Sequence, residues 1–165
     1  MVTFLYRNTT ERNKMKLVIE YLENYDKSWG AMTYKHADDS GFDLRAAIKE
    51  PMTLAPGKHA VIPNGFKMKI ESEDNAFELQ TRPRSGLAAK FGISVVNSPG
   101  TVDFGYRGEV MSILINCGKE PFVINPGDRI AQAIVCPIVR PEIVEGAVDD
   151  TTTRSAGGFG STGVK

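Results

Sequence analysis

The sequence predicts an all-β core, arranged as a sandwich or barrel, in one domain of ordinary size. Short runs rich in β-forming residues follow one another after Gly41, and clusters of Gly, Pro and Asn separate them at the spacing of turns. No helical segments lie between the runs, which disfavours a parallel sheet of βαβ units. The predicted strands are 42–48, 58–62, 65–70, 77–81, 93–97, 110–116, 121–124 and 129–139.

Composition excludes several classes of protein. The 20 Lys and Arg residues balance 20 Asp and Glu residues, so the chain cannot rely on counterion release from a polyanion, and we expect no nucleic-acid partner. No stretch is apolar over the length of a bilayer and the start lacks a secretory signal, so we expect no membrane partner and a cytoplasmic location. Cys117 and Cys136 lack CxxC spacing, and we expect small buried side chains rather than metal ligands.

The ends of the chain differ in texture from its middle, and we predict three regions: an N-terminal extension (1–33), the β core (34–148) and a flexible C-terminal arm (149–165). In the extension, apolar residues recur at three- and four-residue intervals from Thr10 to Asp26, which predicts an amphipathic helix. These apolar residues are Met15, Leu17, Val18, Tyr21, Leu22 and Tyr25.

The first candidate site is the segment 82–88, where a predicted strand leads into a short helix-capable run. Ser85 suits an N-cap, and Gly86 after it would leave backbone N–H groups facing an anion. The guanidinium of Arg84 is suited to bidentate contact with phosphate. A capped surface turn with two solvated arginines explains the same residues equally well.

The second candidate is the segment 97–108, which reads as a tight turn followed by a hairpin. Backbone groups of a hairpin can pair with the edge of a flat polar ring. Asp103 could accept a proton from water and Tyr106 could pack beneath a sugar. For an isolated Asp-x-x-Tyr pattern, however, a turn-forming Asp and a core Tyr are the commoner explanation.

Two further features complete the set of candidates. Gln132 alternates onto the same strand face as Ile130 and Ile134, so its amide needs a partner: a ligand, an interface or nearby backbone. In the arm, a cation, an aromatic ring and hydroxyls interrupt a glycine chain, which suits either a lid that closes over a nucleotide or a disordered tail. These arm residues are Arg154, Phe159, Ser161 and Thr162.

In order and spacing, these segments together resemble the motifs of the homotrimeric dUTPase family over about residues 34–165. The motifs read GFDLRA at 41–46, RSGL at 84–87, NSPGTVDFGYRG at 97–108, GDRIAQ at 127–132, and Arg154 followed by GGFGS at 157–161. The resemblance implies a jelly-roll β fold with a short helix, to which the N-terminal amphipathic helix is an addition. It also implies a trimer with shared active sites and Mg²⁺-dependent hydrolysis of dUTP to dUMP and pyrophosphate. Water would attack the α-phosphate. The overall reaction would limit the incorporation of uracil into DNA and supply dUMP for thymidylate synthesis.

The resemblance also assigns roles by position. Asp103 matches the catalytic aspartate that orients or deprotonates the attacking water, and Tyr106 matches the aromatic that packs against the sugar. Contacts to uracil fall on Asn97, Thr101 and Val102; contacts to the phosphate chain fall on Arg84, Ser85, Gly86 and Gln132; contacts from the arm fall on Arg154, Phe159, Gly160 and Ser161. Substrate phosphates and water would hold Mg²⁺ without a direct protein ligand, and Asp43 would lie nearby.

Two alternatives belong to other functional classes. A dCTP deaminase of the same fold places a catalytic glutamate ten residues after the motif aspartate, and this chain has Ile113 there. A nucleotide-sensing regulatory protein could keep the pocket and use the N-terminal helix to bind a partner. Such a sensor would not require Asp103 or the complete arm.

Overall fold

The computed structural model describes residues 15–73, 75–149, 151–153 and 155–158. Within these ranges the chain forms eleven β-strands, one α-helix and a 3-10 turn at Lys27–Trp29. The elements are β1 Lys16–Tyr21, β2 Phe42–Arg45, β3 Met52–Leu54, β4 His59–Pro63, β5 Phe66–Glu71, β6 Phe77–Arg82, α1 Ser85–Phe91, β7 Ile93–Val95, β8 Gly100–Val102, β9 Met111–Asn116, β10 Phe122–Ile124 and β11 Arg129–Pro137. The predicted all-β class with one short helix is confirmed.

The strands form antiparallel sheets, as the absence of helical crossovers predicted. The largest sheet has the order β2-β11-β6-β8, and a three-stranded sheet has the order β4-β9-β7. Two further antiparallel pairs join β1 to β5 and β10 to β3. Because β11 pairs with both β2 and β6, segments that are far apart in sequence meet at one level of the large sheet.

The core lies between the inner faces of the sheets and follows the alternation of their strands. In β9 the residues alternate between outward and fully buried positions, and Leu114 is completely buried. Ser112 is buried as well, but its hydroxyl donates to Asn64 Oδ1 at 2.9 Å, so the polar group is satisfied. Phe66, Leu79 and other apolar side chains complete a continuous core. Burial of this apolar surface drives folding.

The predicted helix from Thr10 to Asp26 is wrong for residues 15–26, and residues 10–14 lie outside the described ranges. Lys16–Tyr21 forms β1 instead and pairs antiparallel with β5. Its side chains alternate, with Leu17, Ile19 and Tyr21 half-buried and the residues between them exposed. Pairing with β5 supplies backbone hydrogen bonds and covers one face of the strand, and this tertiary partner outweighs the local helical spacing.

An aromatic cluster fixes the chain after β1. The ring centroids of Tyr21 and Tyr25 lie 4.4 Å apart, and Trp29 meets Tyr25 edge-on at 5.3 Å. Tyr25 donates its hydroxyl proton to Gly30 O at 2.6 Å. Burial raises the pKa of Tyr25, and neighbouring Tyr21 shifts this pKa in the same direction. The hydroxyl therefore stays a donor at neutral pH, and the N-terminal segment is packed against the body of the chain.

Three local predictions need correction. The segment 97–108 is not a hairpin, because β8 pairs with β6 while β7 pairs with β9 in another sheet. The N-cap of α1 is Arg84, and Ser85 is the first helical residue. Cys117 is exposed and Cys136 is half-buried rather than fully buried; both are free thiols. None of the helices in the described part of the chain is long and apolar enough to cross a membrane.

A pair of glycine variants tests how tightly the N-terminal segment is packed. Gly65 has a φ of +75°, and an added Cβ would lie 2.9 Å from the Cβ atoms of Ala47 and Tyr25. Gly57 has a similar φ of +73° but no heavy atom within 4 Å of such a Cβ. We expect Gly57→Ala to lower the free energy of unfolding by about 1 kcal/mol, the backbone cost alone. Gly65→Ala should lower it by about 3 kcal/mol because overpacking is added.

Urea unfolding of both variants at one protein concentration measures the difference. If both variants lower the free energy of unfolding equally, the segment that carries Tyr25 accommodates the added methyl group without an energetic penalty.

Candidate active site

Most of the candidate residues fall into two separate cavities. The first, which we call the Asp103 cavity, has a volume of about 310 Å³. It is lined by Val61, Thr81, Asn97, Gly100, Thr101, Val102, Asp103, Tyr106, Glu109, Val110, Met111 and Ile113. The second, which we call the Arg84 cleft, has a volume of about 350 Å³. It is lined by Asp43, Arg84, Ser85, Gly86, Leu87, Lys90, Phe91 and Gln132.

Strand β8 and the loop after it build the Asp103 cavity. The loop closes on itself, since Tyr106 N donates to Asp103 O at 3.0 Å and the Tyr106 hydroxyl donates to Glu109 O at 3.0 Å. Arg107 Nη1 also donates to the carbonyls of Phe104 and Tyr106 at 2.8 and 2.7 Å. These bonds hold the loop in shape while Tyr106, which lines the cavity, stays 44% exposed.

The carboxylate of Asp103 is exposed and makes no salt bridge or side-chain hydrogen bond within the described ranges. The other carboxylate that lines this cavity, Glu109, accepts hydrogen bonds from Asn24 Nδ2 and Gly65 N. Both donors reach Glu109 Oε1, whereas no side-chain or backbone donor of the described residues reaches either oxygen of Asp103, so both Asp103 oxygens are open to water or a ligand.

The free backbone edge of β8 is a second feature of this cavity. Within the described residues β8 pairs with β6 alone and lies at the border of its sheet. An edge strand presents unpaired N–H and C=O groups on its outer side. The element at this position is thus an edge strand and not the predicted hairpin, and its outer peptide groups between Gly100 and Val102 have no strand partner among the described residues.

The Arg84 cleft forms where α1 leaves β6. Gln132 on β11 donates from Nε2 to Pro83 O at 2.8 Å and ties the central strand to the start of the helix. Of the three partners that the sequence left open for Gln132, the structure shows nearby backbone, and the same side chain also lines the cleft. Lys90 adds a positive charge; it stands four residues after Gly86 on the same helix face. The spacing of four residues between Gly86 and Lys90 is the signal by which the sequence could have identified Lys90 as a residue of this cleft.

One carboxylate joins two guanidinium groups at the edge of this cleft. Asp43 Oδ1 lies 2.8 Å from Arg84 Nε, and Asp43 Oδ2 lies 3.1 Å from Arg129 Nη1. Arg84 Nη1 also donates to the carbonyl of Arg129 at 3.0 Å. About a third of the Arg84 and Asp43 side chains is exposed, and ion pairs this accessible contribute little net stability.

The two cavities share no lining residue in the described part of the chain. Asp43 lies on β2 and Thr101 on β8, at opposite borders of the sheet β2-β11-β6-β8. Three strand spacings separate these borders, about 14 Å. One chain therefore brings one group of predicted residues together in the Asp103 cavity: Asn97, Thr101, Val102, Asp103 and Tyr106. It brings a second group together in the Arg84 cleft: Asp43, Arg84, Ser85, Gly86 and Gln132. The two groups stay apart within one chain.

Two sets of predicted features need separate mention. The arm residues Arg154, Phe159, Gly160 and Ser161 lie outside the described ranges. Among the described residues, no group of three or more His, Cys, Asp or Glu side chains is arranged to hold a metal ion. Asp43 is the carboxylate of the cleft, and two arginines already occupy its oxygens. A magnesium ion bound here would have to bring most of its oxygen ligands with it.

Comparison with known sequences places the chain among nucleotide hydrolases. The sequence model of the dUTPase family matches residues 27–163. The deoxyuridine 5'-triphosphate nucleotidohydrolase of Rhizobium leguminosarum bv. trifolii is 52% identical over 133 residues, covering 79% of this chain and 83% of the relative. The protein of the same name from Chlamydia abortus is 53% identical over 131 residues, covering 76% of this chain and 86% of the relative.

Solved structures show the same fold. A mutant Staphylococcus bacteriophage 80alpha dUTPase with dUpNHpp gives a TM-score of 0.74 at 23% identity, covering 90% of this chain and 99% of that chain. A mutant dUTPase from phage phi11 of S. aureus, described with a structural Mg(II) ion, gives 0.69 at 22% identity, covering 82% and 99%. The resemblance to the dUTPase family that the sequence motifs indicated, and the jelly-roll-type fold that it implies, are confirmed.

Proposed function

This chain belongs to the dUTPase family, and we propose on that basis that it hydrolyses dUTP to dUMP and pyrophosphate. The observation that supports this most directly is the Asp103 cavity. It combines a free carboxylate, an exposed tyrosine ring and an unpaired peptide edge. These are a base for water, a platform for a sugar and a surface that reads a planar base. The reaction would limit uracil in DNA and supply dUMP for thymidylate synthesis.

Uracil selection falls to the peptide groups of β8. The imide edge of uracil offers one donor between two acceptors, and backbone N–H and C=O groups of an edge strand can match it. Asn97, Thr101 and Val102 line the cavity at this edge, and a closely fitting strand leaves no room for the 5-methyl group of thymine. Tyr106 packs beneath the deoxyribose, where a 2′-hydroxyl would collide with the ring.

The phosphate chain is assigned to the Arg84 cleft. Arg84 exchanges Asp43 for phosphate oxygens, while Ser85, Gly86 and Gln132 supply further hydrogen-bond donors. Magnesium bound to the phosphates would neutralise part of their charge, which is consistent with a chain of zero net charge. Asp43, freed from Arg84, lies at this end of the substrate.

In the hydrolytic step, Asp103 orients a water molecule and takes its proton as the water oxygen attacks the α-phosphorus. The bond from that phosphorus to the bridging oxygen breaks, and pyrophosphate leaves with the charge held by Arg84. Closure of the arm would exclude bulk water. There Phe159 would cover uracil, and Arg154, Gly160 and Ser161 would contact the terminal phosphates.

We further propose a homotrimer with shared active sites, because one chain keeps the two cavities apart. The Asp103 cavity opens onto an apolar sheet face, where Val61 is 56% exposed and Met111 44% exposed. Beyond β11, Val139 and Ile143 are more than 90% exposed. Exposed apolar groups of this kind mark contact surfaces. A neighbouring copy seated on this face would bring its own Arg84 cleft to Asp103.

The alternatives are less well supported. Ile113 lines the Asp103 cavity where a dCTP deaminase would need a carboxylate. Glu109, the other acid in the cavity, is bound to Asn24 and Gly65. A cytoplasmic location agrees with the two free thiols. We propose neither a nucleic-acid nor a membrane partner.

A pyrophosphate-release assay across dUTP, dTTP, dCTP and UTP, with and without Mg²⁺, tests the activity. We expect release from dUTP to exceed release from each of the others by at least about 100-fold, because dTTP adds a 5-methyl group, UTP adds a 2′-hydroxyl and dCTP presents a different hydrogen-bonding edge. Removal of Mg²⁺ should slow release from dUTP. Ammonia released from dCTP would favour the deaminase, and tight dUTP binding without turnover would favour the sensor.

Replacing the proposed base tests its role. Asp103→Asn keeps the size of the side chain and one acceptor oxygen but removes the carboxylate that takes the proton. We expect dUTP affinity to change little and turnover to fall roughly 10²- to 10⁴-fold. Asp38→Asn, an exposed carboxylate outside both cavities, is the matched control. Wild-type turnover in Asp103→Asn would remove Asp103 from the catalytic role.

Subunit mixing tests the shared site. Asp103→Asn and Arg84→Ala should each be nearly inactive alone. When the two are unfolded, mixed in equal amounts and refolded together, a shared site can combine an intact Asp103 with an intact Arg84 from different chains. We expect about a quarter of the wild-type rate. Native mass spectrometry confirms mixed assembly, and mixed trimers without recovered activity would place both residues of a site in one chain.

A further inference from the structure

Glu109 joins the N-terminal segment to the loop that carries Tyr106. Its Oε1 accepts a hydrogen bond from Asn24 Nδ2 at 2.8 Å and another from Gly65 N at 2.9 Å. Its backbone carbonyl accepts the proton of the Tyr106 hydroxyl at 3.0 Å. The side chain of this one residue is thus held by the body of the chain, while its backbone holds the ring that faces the Asp103 cavity.

The geometry of the loop makes the Tyr106 ring depend on this anchor. The ring folds back over Gly108, and a Cβ at that position would overlap the Tyr106 hydroxyl and ring carbons. No side chain stands between the ring and the backbone that fixes it. A shift of the Glu109 carbonyl therefore moves the ring.

Asn24 is in turn fixed by its surroundings. Its Nδ2 also lies 3.3 Å from Ala47 O, and Leu22 N, two residues before Asn24, donates to Gly65 O at 2.8 Å. Asn24 lines neither the Asp103 cavity nor the Arg84 cleft. Its contact with Glu109 spans 85 positions of sequence, so it is made only when the chain has folded.

We propose that Glu109, held by Asn24, is a positioning residue that sets the depth of Tyr106 in the Asp103 cavity and thereby the preference for deoxyribose over ribose. This role rests on the proposed function, since it concerns the sugar of the same substrate. A carboxylate oxygen that accepts two donors is a stiff anchor. A displacement of the ring by about 1 Å is enough to change fit at a closely packed site, and space above C2′ is the space that a ribose needs.

The ratio of kcat/KM for dUTP to kcat/KM for UTP measures this preference. We expect Glu109→Ala to lower the ratio about tenfold and Asn24→Ala to lower it about threefold, because the first loses both anchoring bonds and the second loses one. Glu109→Gln retains an oxygen acceptor and should restore most of the ratio. Glu23→Ala, an exposed side chain beside Asn24, is the matched control and should keep the wild-type ratio.

A double-mutant cycle locates the effect. Tyr106→Phe removes the hydroxyl that reaches Glu109 O, so it should lower the ratio by itself. Combined with Asn24→Ala, it should cost less than the sum of the single effects, because both act through one connection. Melting temperatures are measured for every variant, since a purely structural role would lower them without changing the ratio.

The outcomes separate the two levels of inference. Absence of dUTP hydrolysis by the unmodified protein contradicts the proposed function itself. Normal hydrolysis, with wild-type selectivity in folded Asn24→Ala and Glu109→Ala, overturns the role of Glu109 alone. If Glu109→Ala fails to fold, Asn24→Ala decides, because its loss leaves Glu109 the bond from Gly65 N.

Discussion

The antiparallel pairing of β11 with β2 on one side and β6 on the other is the constraint on which both cavities depend. Gln132 lies opposite Asp43 in one ladder and opposite Arg82 in the other. The Arg84 cleft is therefore built from residues at one level of the neighbouring strands β2, β11 and β6, together with the start of α1 that follows β6. The small buried side chains Ala131 and Ala133 allow this central strand to lie directly over the core. The same strand order sends β8 to the far border, so the distance between the cavities follows from sheet width.

Much of the fold could be predicted because β alternation and turn residues are local signals. The N-terminal helix failed for a local reason as well. β1 is short, and the apolar residues Leu22 and Tyr25 beyond it extend its alternation into an apparent helical spacing. The strand that pairs with β1, β5, starts about forty-five residues after β1 ends. The residues of the N-terminal segment contain no local signal that predicts this pairing. The supposed hairpin failed likewise, since consecutive strands β7 and β8 belong to different sheets.

The candidate residues were identifiable individually, but their grouping was not. Residue type and spacing single out Arg84, Asp103 and Gln132, whereas their division between two cavities is set by strand order. The ion pair of Arg84 with Asp43 crosses from β2 to the start of α1, a contact that no local pattern contains. Glu109 was missed for the same reason, because the donors to its side chain come from two remote segments.

The border position of β8 has a consequence for solubility. An open strand edge is available to the edge of a strand from another molecule, the usual first contact in β-aggregation. This strand has only three residues, too few for a stable ladder between molecules. The brevity of β8 thus limits strand-to-strand association of copies along this border.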